Sequence, residues 1–378
     1  MGKDLLKHCW KASPQALRLL ALSALCLIQA QKRSAAMPKA GPLYVCGAFY
    51  SSSGISQGAR LYVQHCREQG QDVIPVDITD AMRYARDYRP EESLLTIQDA
   101  RNMADGGTLV IHANPPQFQL ALCALGKDFL RRKHVIAYWA WELEAFPSIW
   151  QQALAYVDAV EVPSTFVQQA LQKITDKPVT VRPHAVPVPI RRKTAYATDG
   201  IIRCLFIFDA GASFERKNPL AALQAFAQAF KVGEAEMTFK VSNASACNRQ
   251  FEDFQKACAA VPGVRIITDD LDATALSELY LAHDIYLSLH RSEGYGLTIR
   301  EAMLHGLYVV ATGWSGNMDY MQDALVRPVP YRLVKKRFES GICKGITARW
   351  VEVDVAGAII ILRYLHARLT DTSREVAA

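Results

Sequence analysis

Short apolar runs alternate with amphipathic, helix-like segments along most of the chain. In the first half, runs that predict strands are PLYVCGAF (42–49), DVIPVDI (72–78), GTLVIHAN (107–114), HVIAYWAW (134–141) and DAVEVPS (158–164). Continuous apolar strands with helices between them are typical of a parallel sheet that helices cover on both faces. One of these helices is predicted within 57–70, and Gly70 is placed to end it.

The same alternation restarts after a proline-rich and charged stretch, in which we predict a linker over 187–199. Further predicted strands are RCLFIFD (203–209), MTFKVS (237–242), VRIIT (264–268), DIYLSLH (284–290) and LYVVAT (307–312). We therefore predict an α/β chain with two doubly wound, Rossmann-like parallel-sheet domains, 41–186 and 200–353, that face a cleft. A last helix is predicted over 354–370.

Length and cysteine usage agree with this organisation. A chain of 378 residues is long for one domain, and half of its residues are apolar, as in an ordinary globular protein. The nine cysteines are scattered and never form a CxxC pair. This pattern favours reduced, buried thiols in the cytoplasm over a disulfide framework or a zinc site.

The net charge of +6 is confined to an N-terminal extension, 1–40, where seven Lys or Arg residues face Asp4 alone. The apolar segment Leu19–Ile28 is too short to span a bilayer, which takes about 20 residues. The extension could bind an anionic membrane surface, act as a signal peptide, or be a disordered or weakly helical tail. Met37 lies just before the first predicted strand, so an upstream start-site artefact is a further alternative. The basic runs RRKH (131–134) and VKKRF (334–338) could also contact such a membrane from its inner face, or be solvated surface charge.

Two glutamates mark the turn that follows the predicted strand 284–290. Gly294 and Gly296 allow the backbone to approach a ligand closely, and the NH groups at the next helix start can face an anion. Glu293 lies in the turn, and Glu301 lies about one turn into the helix that follows. Both could accept hydrogen bonds from sugar or ribose hydroxyls. The alternative is that Glu293 caps the helix and Glu301 lies on a solvated face.

The segment SEGYGLTIREAM (292–303) resembles the E-x7-E motif of the retaining family 4 glycosyltransferases, which have the GT-B fold of two Rossmann-like domains. Other segments resemble the branch of that family that builds bacterial polysaccharides: FERKNPLAALQAFAQAF, VVATGWSGNMDYM, YWAWELEAFPSIW, VPSTFV and HANPPQ. The resemblance covers roughly residues 42–370.

The resemblance implies a role for each glutamate in binding a sugar nucleotide. Glu301 would hold the ribose hydroxyls. Glu293 would contact the donor sugar and support the positive charge that develops at its anomeric carbon. The backbone that would line the sugar and the diphosphate is that of Gly294, Tyr295, Gly296 and Leu297.

Two cations follow the predicted strand 203–209. A transferase that works without a metal must balance the charge of the leaving diphosphate with cations and helix dipoles. By resemblance, Lys217 matches the family's phosphate-binding lysine, whereas Gly211 stands near the place of the usual upstream arginine. Arg216 could replace that arginine. The alternative is a surface pair at the start of a helix.

The predicted first domain offers further candidates. The segment SSSGISQGAR (51–60) resembles the family's glycine loop, with Gly54 approaching the donor, or is a plain turn. It does not match GxGxxG, which weakens a dehydrogenase interpretation. The histidine that many relatives carry at a strand end is missing. Glu142 could orient an acceptor and Trp139 could stack on its sugar, or they are a capping carboxylate and a core aromatic. Asp319 matches a position where relatives carry a cleft-lining glutamate.

We thus expect a retaining, metal-independent hexosyltransferase without a cofactor. It would move a sugar from a nucleoside diphosphate sugar, with GDP-mannose favoured by the resemblance, to a carbohydrate or lipid-linked acceptor. In the GT-B fold the helix 354–370 would cross back to the first domain. A sugar-nucleotide binder without turnover is the main alternative. An inverting GT-B enzyme or an epimerase conflicts with the E-x7-E motif, and nothing in the sequence indicates a nucleic-acid partner.

Overall fold

A computed structural model describes residues 40–103, 106–244, 248–339 and 343–371 of the chain. The predicted N-terminal extension, apart from Ala40, lies outside these described residues. The described residues divide into two compact units. The first comprises residues up to Ala185 together with 337–346, and the second comprises Val186–Lys336 and the residues from Thr347 onward. Each unit is built on one six-stranded sheet.

The sheet of the first unit is wholly parallel, in the strand order β2-β1-β3-β4-β5-β6. Its strands are β1 (Leu43–Gly47), β2 (Val73–Asp77), β3 (Thr108–His112), β4 (His134–Tyr138), β5 (Ala159–Val162) and β6 (Val179–Val181). Its helices are α1 (Gly54–Glu68), α2 (Thr79–Met82), α3 (Ile97–Arg101), α4 (Gln117–Leu125), α5 (Lys127–Leu130), α6 (Ser148–Ala153) and α7 (Thr165–Leu171).

The apolar strand residues of the first unit form its core because both faces of the sheet are covered. Val45 of β1 and Val110 of β3 are fully buried, and Val63 of α1 packs with them. Gly70, with φ +71°, follows the end of α1 in the left-handed conformation that glycine adopts most readily. The sequence correctly predicted this helix end.

The sheet of the second unit is also wholly parallel, in the order β12-β11-β10-β7-β8-β9. Its strands are β7 (Ile202–Asp209), β8 (Ala235–Ser242), β9 (Val264–Ile267), β10 (Ile285–Ser288), β11 (Tyr308–Thr312) and β12 (Val326–Val329). A separate two-stranded sheet is formed by β13 (Tyr331–Arg337) and β14 (Thr347–Val353). The direction of the strand order reverses between β7 and β10, and ligands of such sheets bind beyond the strand ends at this point.

The helices of the second unit are α8 (Phe214–Lys217), α9 (Pro219–Ala229), α10 (Asn248–Ala259), α11 (Ala273–Leu281), α12 (Leu297–Leu304) and α13 (Val355–Thr370). Helix α13 is the element for which the resemblance implies a crossing to the first domain. In this structure Ala358, Leu362 and Leu365 of α13 are buried in the core of the second unit. Its Arg363 also donates a 2.9 Å hydrogen bond to the carbonyl of Gln228 in α9.

The prediction of two doubly wound parallel sheets is confirmed, and all ten strands predicted from apolar runs are present. The sequence missed β6, β12, β13 and β14. Strand β13 contains most of the basic run VKKRF (334–338). The sequence does not predict a strand there, because most side chains of β13 are exposed and three successive residues are Lys or Arg.

Two further findings concern only the residues that the structure describes. No helix among them is long and apolar enough to cross a membrane. Their six cysteines are all free thiols, in line with the interpretation from sequence, and four of them are buried.

Candidate functional site

Two segments of the second unit meet at the point where its strand order reverses. Helix α8 follows β7, and the loop 289–296 follows β10, the neighbouring strand. The side-chain amide of Asn218 donates to the carbonyl of Leu289 over 2.8 Å. The backbone NH of Arg291 donates to the carbonyl of Arg216, also over 2.8 Å. These bonds fix the predicted phosphate-binding segment against the predicted sugar-binding loop.

A buried ion cluster joins three of the predicted catalytic side chains. Lys217 Nζ lies 2.5 Å from Glu293 Oε1, and Arg216 Nη1 lies 3.2 Å from the same oxygen. Arg216 also donates to the carbonyl of Ser292 over 2.9 Å. Only 6% of the surface of Glu293 is exposed. The two cations come from α8 and the carboxylate from the loop, so the cluster depends on the packing of two segments far apart in sequence.

The charge state of Glu293 follows from two opposing effects. Burial favours its neutral form, but the nearby charges of Lys217 and Arg216 outweigh burial and lower the pKa of Glu293 to about 2. Glu293 is therefore ionised throughout the physiological pH range. An ionised carboxylate accepts hydrogen bonds and cannot donate them, which suits contact with hydroxyl groups.

Contacts from the segment after β11 hold the loop in place. Ser315 Oγ accepts a 2.8 Å hydrogen bond from the backbone NH of Glu293. The hydroxyl of Tyr320 lies 2.6 and 2.7 Å from the carbonyl oxygens of Tyr295 and Gly296. Gly296 has φ +84°, and a Cβ atom added there would lie 2.9 Å from that hydroxyl oxygen. Glycine at 296 is thus required both by the backbone conformation and by the close approach of Tyr320.

Helix α12 begins directly after Gly296, so the unpaired NH groups of its first turn lie beside the loop. Glu301, one turn further on, accepts a 2.8 Å hydrogen bond from the hydroxyl of Tyr280 in α11. The ring of Tyr280 stacks on His305 with centroids 4.6 Å apart. Burial raises the pKa of Glu301 to about 7, although the Tyr280 hydroxyl favours the ionised form.

His290 is a buried residue of this site that sequence reasoning missed. It follows β10 and is fully buried, and neither ring nitrogen has a hydrogen-bond partner among the described residues. Burial lowers its pKa to about 4; the charge of Glu293 opposes this shift, and those of Lys217 and Arg216 add to it. His290 is therefore neutral at pH 7. Its place at the end of an apolar run was the one available signal, and a histidine there is usually structural.

The remaining candidate of the second unit, Asp319, ends a short 3-10 helix, Gly316–Asp319, and is exposed. Its charge is close enough to Tyr295 to contribute to raising the pKa of that phenol, although burial is the larger cause. The structure thus places Asp319 near the loop 289–296 but outside the ion cluster.

The candidates of the first unit occupy three different settings. Gly54 is the first residue of α1 and is exposed, with no atom within 4 Å of an added Cβ. Glu142 is half-buried in the loop after β4. Trp139 is fully buried, and its ring packs edge-on against Phe118 and Trp150 with centroids 5.8 and 4.9 Å apart. For Trp139, the geometry favours the alternative of a core aromatic over contact with an acceptor.

No family model and no curated protein matches the chain. Several solved structures do. The Anabaena protein HepE in complex with UDP and glucose has a TM-score of 0.59 at 11% identity, covering 89% of this chain and 94% of its own. The apo form of the lipopolysaccharide outer core galactosyltransferase WaaB has a TM-score of 0.53 at 11% identity, covering 76% and 83%. Together with the two parallel six-stranded sheets, these likenesses show that the chain has the GT-B fold.

Proposed function

We propose that the protein is a retaining glycosyltransferase that moves a hexose from a nucleoside diphosphate sugar to a carbohydrate or lipid-linked acceptor. The observation that carries this proposal is the buried cluster of Lys217, Arg216 and Glu293 beside the start of α12. Cations next to unpaired helix NH groups suit a diphosphate, and a permanently ionised carboxylate suits sugar hydroxyls. GT-B architecture supports the proposal at the level of the fold.

The ion cluster suggests how the donor is accommodated. In this structure the single carboxylate of Glu293 pairs with both Lys217 and Arg216, so the three side chains together carry a net charge of +1. A bound diphosphate would replace the carboxylate as the partner of Lys217. Glu293 would then be free to accept hydrogen bonds from the sugar and to stabilise positive charge at the anomeric carbon. This exchange avoids leaving either cation buried without a counterion, which would be costly.

The leaving group determines the rest of the proposed mechanism. Lys217, Arg216 and the NH groups of α12 would stabilise the negative charge that grows on the diphosphate during bond cleavage. Since these groups supply positive charge, we propose that the reaction needs no metal. The acceptor would attack from the face of the leaving phosphate, whose oxygen helps to remove the acceptor proton. Retention of configuration follows from this geometry.

Glu301 is proposed to bind the ribose. Its carboxyl lies on the first turns of α12 and already accepts a hydrogen bond from Tyr280, which fixes one oxygen. The other oxygen remains for ribose hydroxyls. In the first unit, we keep Gly54 as a donor contact and Glu142 as an acceptor contact, together with Asp319 of the second unit; these three assignments rest on the family resemblance.

The base of the donor is a separate question. The resemblance favours GDP-mannose, whereas the solved HepE complexes contain UDP or UDP-glucose. Calorimetric titration with GDP, UDP, ADP and dTDP decides between them. Tight binding of one nucleotide, weakened about tenfold or more by Lys217→Ala, would support the proposed site. Lys256→Ala is the matched control, because this lysine of the same unit is 77% exposed. Absence of binding by every nucleotide would refute the proposal.

Turnover separates an enzyme from a binding protein without activity. The matching sugar nucleotides are incubated with the protein, and release of the nucleoside diphosphate is measured with and without added saccharide acceptors. Product formation with the anomeric configuration of the donor, determined by NMR, supports a retaining transferase. Binding without release of the nucleotide under all these conditions would favour the alternative of a sugar-nucleotide binder.

A further inference from the structure

The first unit contains a concavity of about 510 Å³, and none of its lining residues is a residue of the candidate site. It is formed by the end of α3, the turn between α4 and α5, and the segment leading into β4. Its lining residues are Arg101, Met103, Leu125, Gly126, Lys127, Asp128, Phe129, Arg131 and Lys133. A volume of this size is within the range of small-molecule sites.

The charge of this pocket is strongly one-sided. Four of its lining residues are cationic, namely Arg101, Lys127, Arg131 and Lys133, and Asp128 is its one carboxylate among the described residues. This imbalance contrasts with the chain beyond residue 40, in which basic and acidic residues are equal in number. Concave surfaces lined by one sign of charge concentrate ions of the opposite sign.

Two of the cations are held in place by the fold. The guanidinium of Arg101 donates from Nε to the carbonyl of Leu125 over 3.1 Å, and from Nη2 to the carbonyl of Ala124. Lys133 is only 2% exposed, and its Nζ lies 4.8 and 4.1 Å from the ring centroids of Tyr44 and Phe129. Arg101, which is exposed, therefore loses less conformational entropy on binding an anion than a free surface side chain does, whereas the buried Lys133 adds positive charge behind the lining without direct contact.

The pocket lies at the amino-terminal edge of the parallel sheet, where β4 begins at His134. Strand β1 also begins at this edge, so the chain enters the fold here from the 39 residues that carry the whole net charge of +6. Gly54 and Glu142, by contrast, follow the carboxyl ends of β1 and β4. The pocket is therefore separate from the predicted ligand contacts of its own unit.

We propose that this pocket is a second binding site, specific for a phosphate-bearing ligand. The exposed cations Arg101, Lys127 and Arg131 would pair with phosphate oxygens, and arginine is well suited to bind two of them at once. Leu125 and Phe129 are buried, so Met103, which is 41% exposed, would be the main apolar contact of the group that carries the phosphate. That group is either a soluble phosphate ester or the headgroup of a membrane lipid, and the pocket chemistry is common to both.

The experiment uses the full chain carrying Lys217→Ala, so that the proposed donor site contributes less to diphosphate binding. In this background, the charge reversals Lys127→Glu and Arg131→Glu are combined; both side chains are exposed. The matched control combines Arg89→Glu and Lys173→Glu, which are exposed positions of the same unit outside the pocket. Thermal unfolding of each protein confirms that it is folded before binding is measured.

Two probes distinguish the sources of the phosphate. The first is inorganic diphosphate, titrated calorimetrically. The second is vesicles of phosphatidylcholine with and without phosphatidylglycerol, measured by co-sedimentation. We expect the pocket reversals to weaken diphosphate binding about tenfold or more, with the control unchanged. Loss confined to the anionic vesicles would identify a lipid headgroup as the source. If neither probe distinguishes the pocket variant from the control, the proposal is wrong.

Discussion

The raised pKa of Glu301 predicts that Glu301→Gln stabilises the protein in a strictly pH-dependent way. In the folded protein burial raises this pKa from 4.5 to about 7. An acid with a raised folded-state pKa contributes stability at pH values below 4.5, and this contribution is lost as the pH rises through 7. Glutamine has nearly the same shape, can accept the Tyr280 hydrogen bond and never ionises, so the variant does not suffer this loss.

The size of the effect follows from the shift. A change from 4.5 to about 7 corresponds to roughly 3 kcal/mol at 1.36 kcal/mol per pH unit. Glu301 retains part of its surface in contact with solvent, which screens its charge, so we expect about 2 kcal/mol. For a domain of this size, 1 kcal/mol changes the melting temperature by about 2–4 °C. Glu301→Gln should therefore melt about 4–8 °C above the parent at pH 8.

The assay compares melting temperatures by circular dichroism at pH 8 and pH 5. At pH 5 Glu301 is mostly protonated in the folded protein, so the difference between variant and parent should be small. Titration of every other group cancels, because each variant is compared with the parent at the same pH. The control is Glu252→Gln, an exposed carboxylate on α10 that should have no effect at either pH. An equal shift at both pH values, or destabilisation at pH 8, would refute the reasoning.

Three further predictions concern the loop and the ion cluster. Gly296→Ala should lower the free energy of unfolding, measured in urea, by about 1–3 kcal/mol because of the positive φ at this position and the contact with Tyr320. Adding Tyr320→Phe should restore part of this loss, and no restoration would argue against the contact. Glu293→Gln should lower the free energy of unfolding by about 3 kcal/mol, and by less once Lys217→Ala is also present, since one of the two cations that Glu293 pairs with is then removed. Strict additivity in the double-mutant cycle would contradict the pairing. His290→Phe should reduce the loss of stability between pH 6.5 and about 4, because below pH 6.5 the unfolded state binds a proton at His290 that the folded state does not. An unchanged pH profile of unfolding would show that folding does not lower the pKa of His290.

The fold was predictable because its two sheets are parallel and covered on both faces. A strand such as β10 is buried at all four positions and begins with three apolar residues, so it is visible as a hydrophobic run without any knowledge of its neighbours. Strand β13 could not be found in this way. Leu333 and Val334 are adjacent in β13, so the strand does not alternate apolar with charged residues. A basic run is also more often solvated surface than a strand.

The candidate site was predictable in part, for a related reason. Glu293 and Lys217 each follow an apolar strand, and sequence pattern places the ends of parallel strands at one edge of a sheet. Their 2.5 Å ion pair was not predictable, because it depends on the packing of α8 against the loop 289–296. Tyr320 was also missed. Its hydroxyl reaches back 24 residues to the carbonyl of Gly296, and no local pattern encodes such a contact.

The two glutamates of the E-x7-E segment have the same side chain but different surroundings, which the sequence pattern alone does not reveal. Eight positions separate identical side chains, yet neighbouring cations lower the pKa of Glu293 to about 2 and burial raises that of Glu301 to about 7. The difference arises because the loop brings Glu293 to Lys217 and Arg216, whereas α12 buries Glu301 beside the neutral phenol of Tyr280. Titratable groups whose pKa values are driven apart in one site commonly serve different roles. If both carboxylates bind one donor, Glu293 enters the complex already ionised, whereas Glu301 is partly protonated near pH 7. An ionised carboxylate is a stronger acceptor for ribose hydroxyls than a neutral carboxyl, so protonation of Glu301 should lower donor affinity as the pH falls through 7.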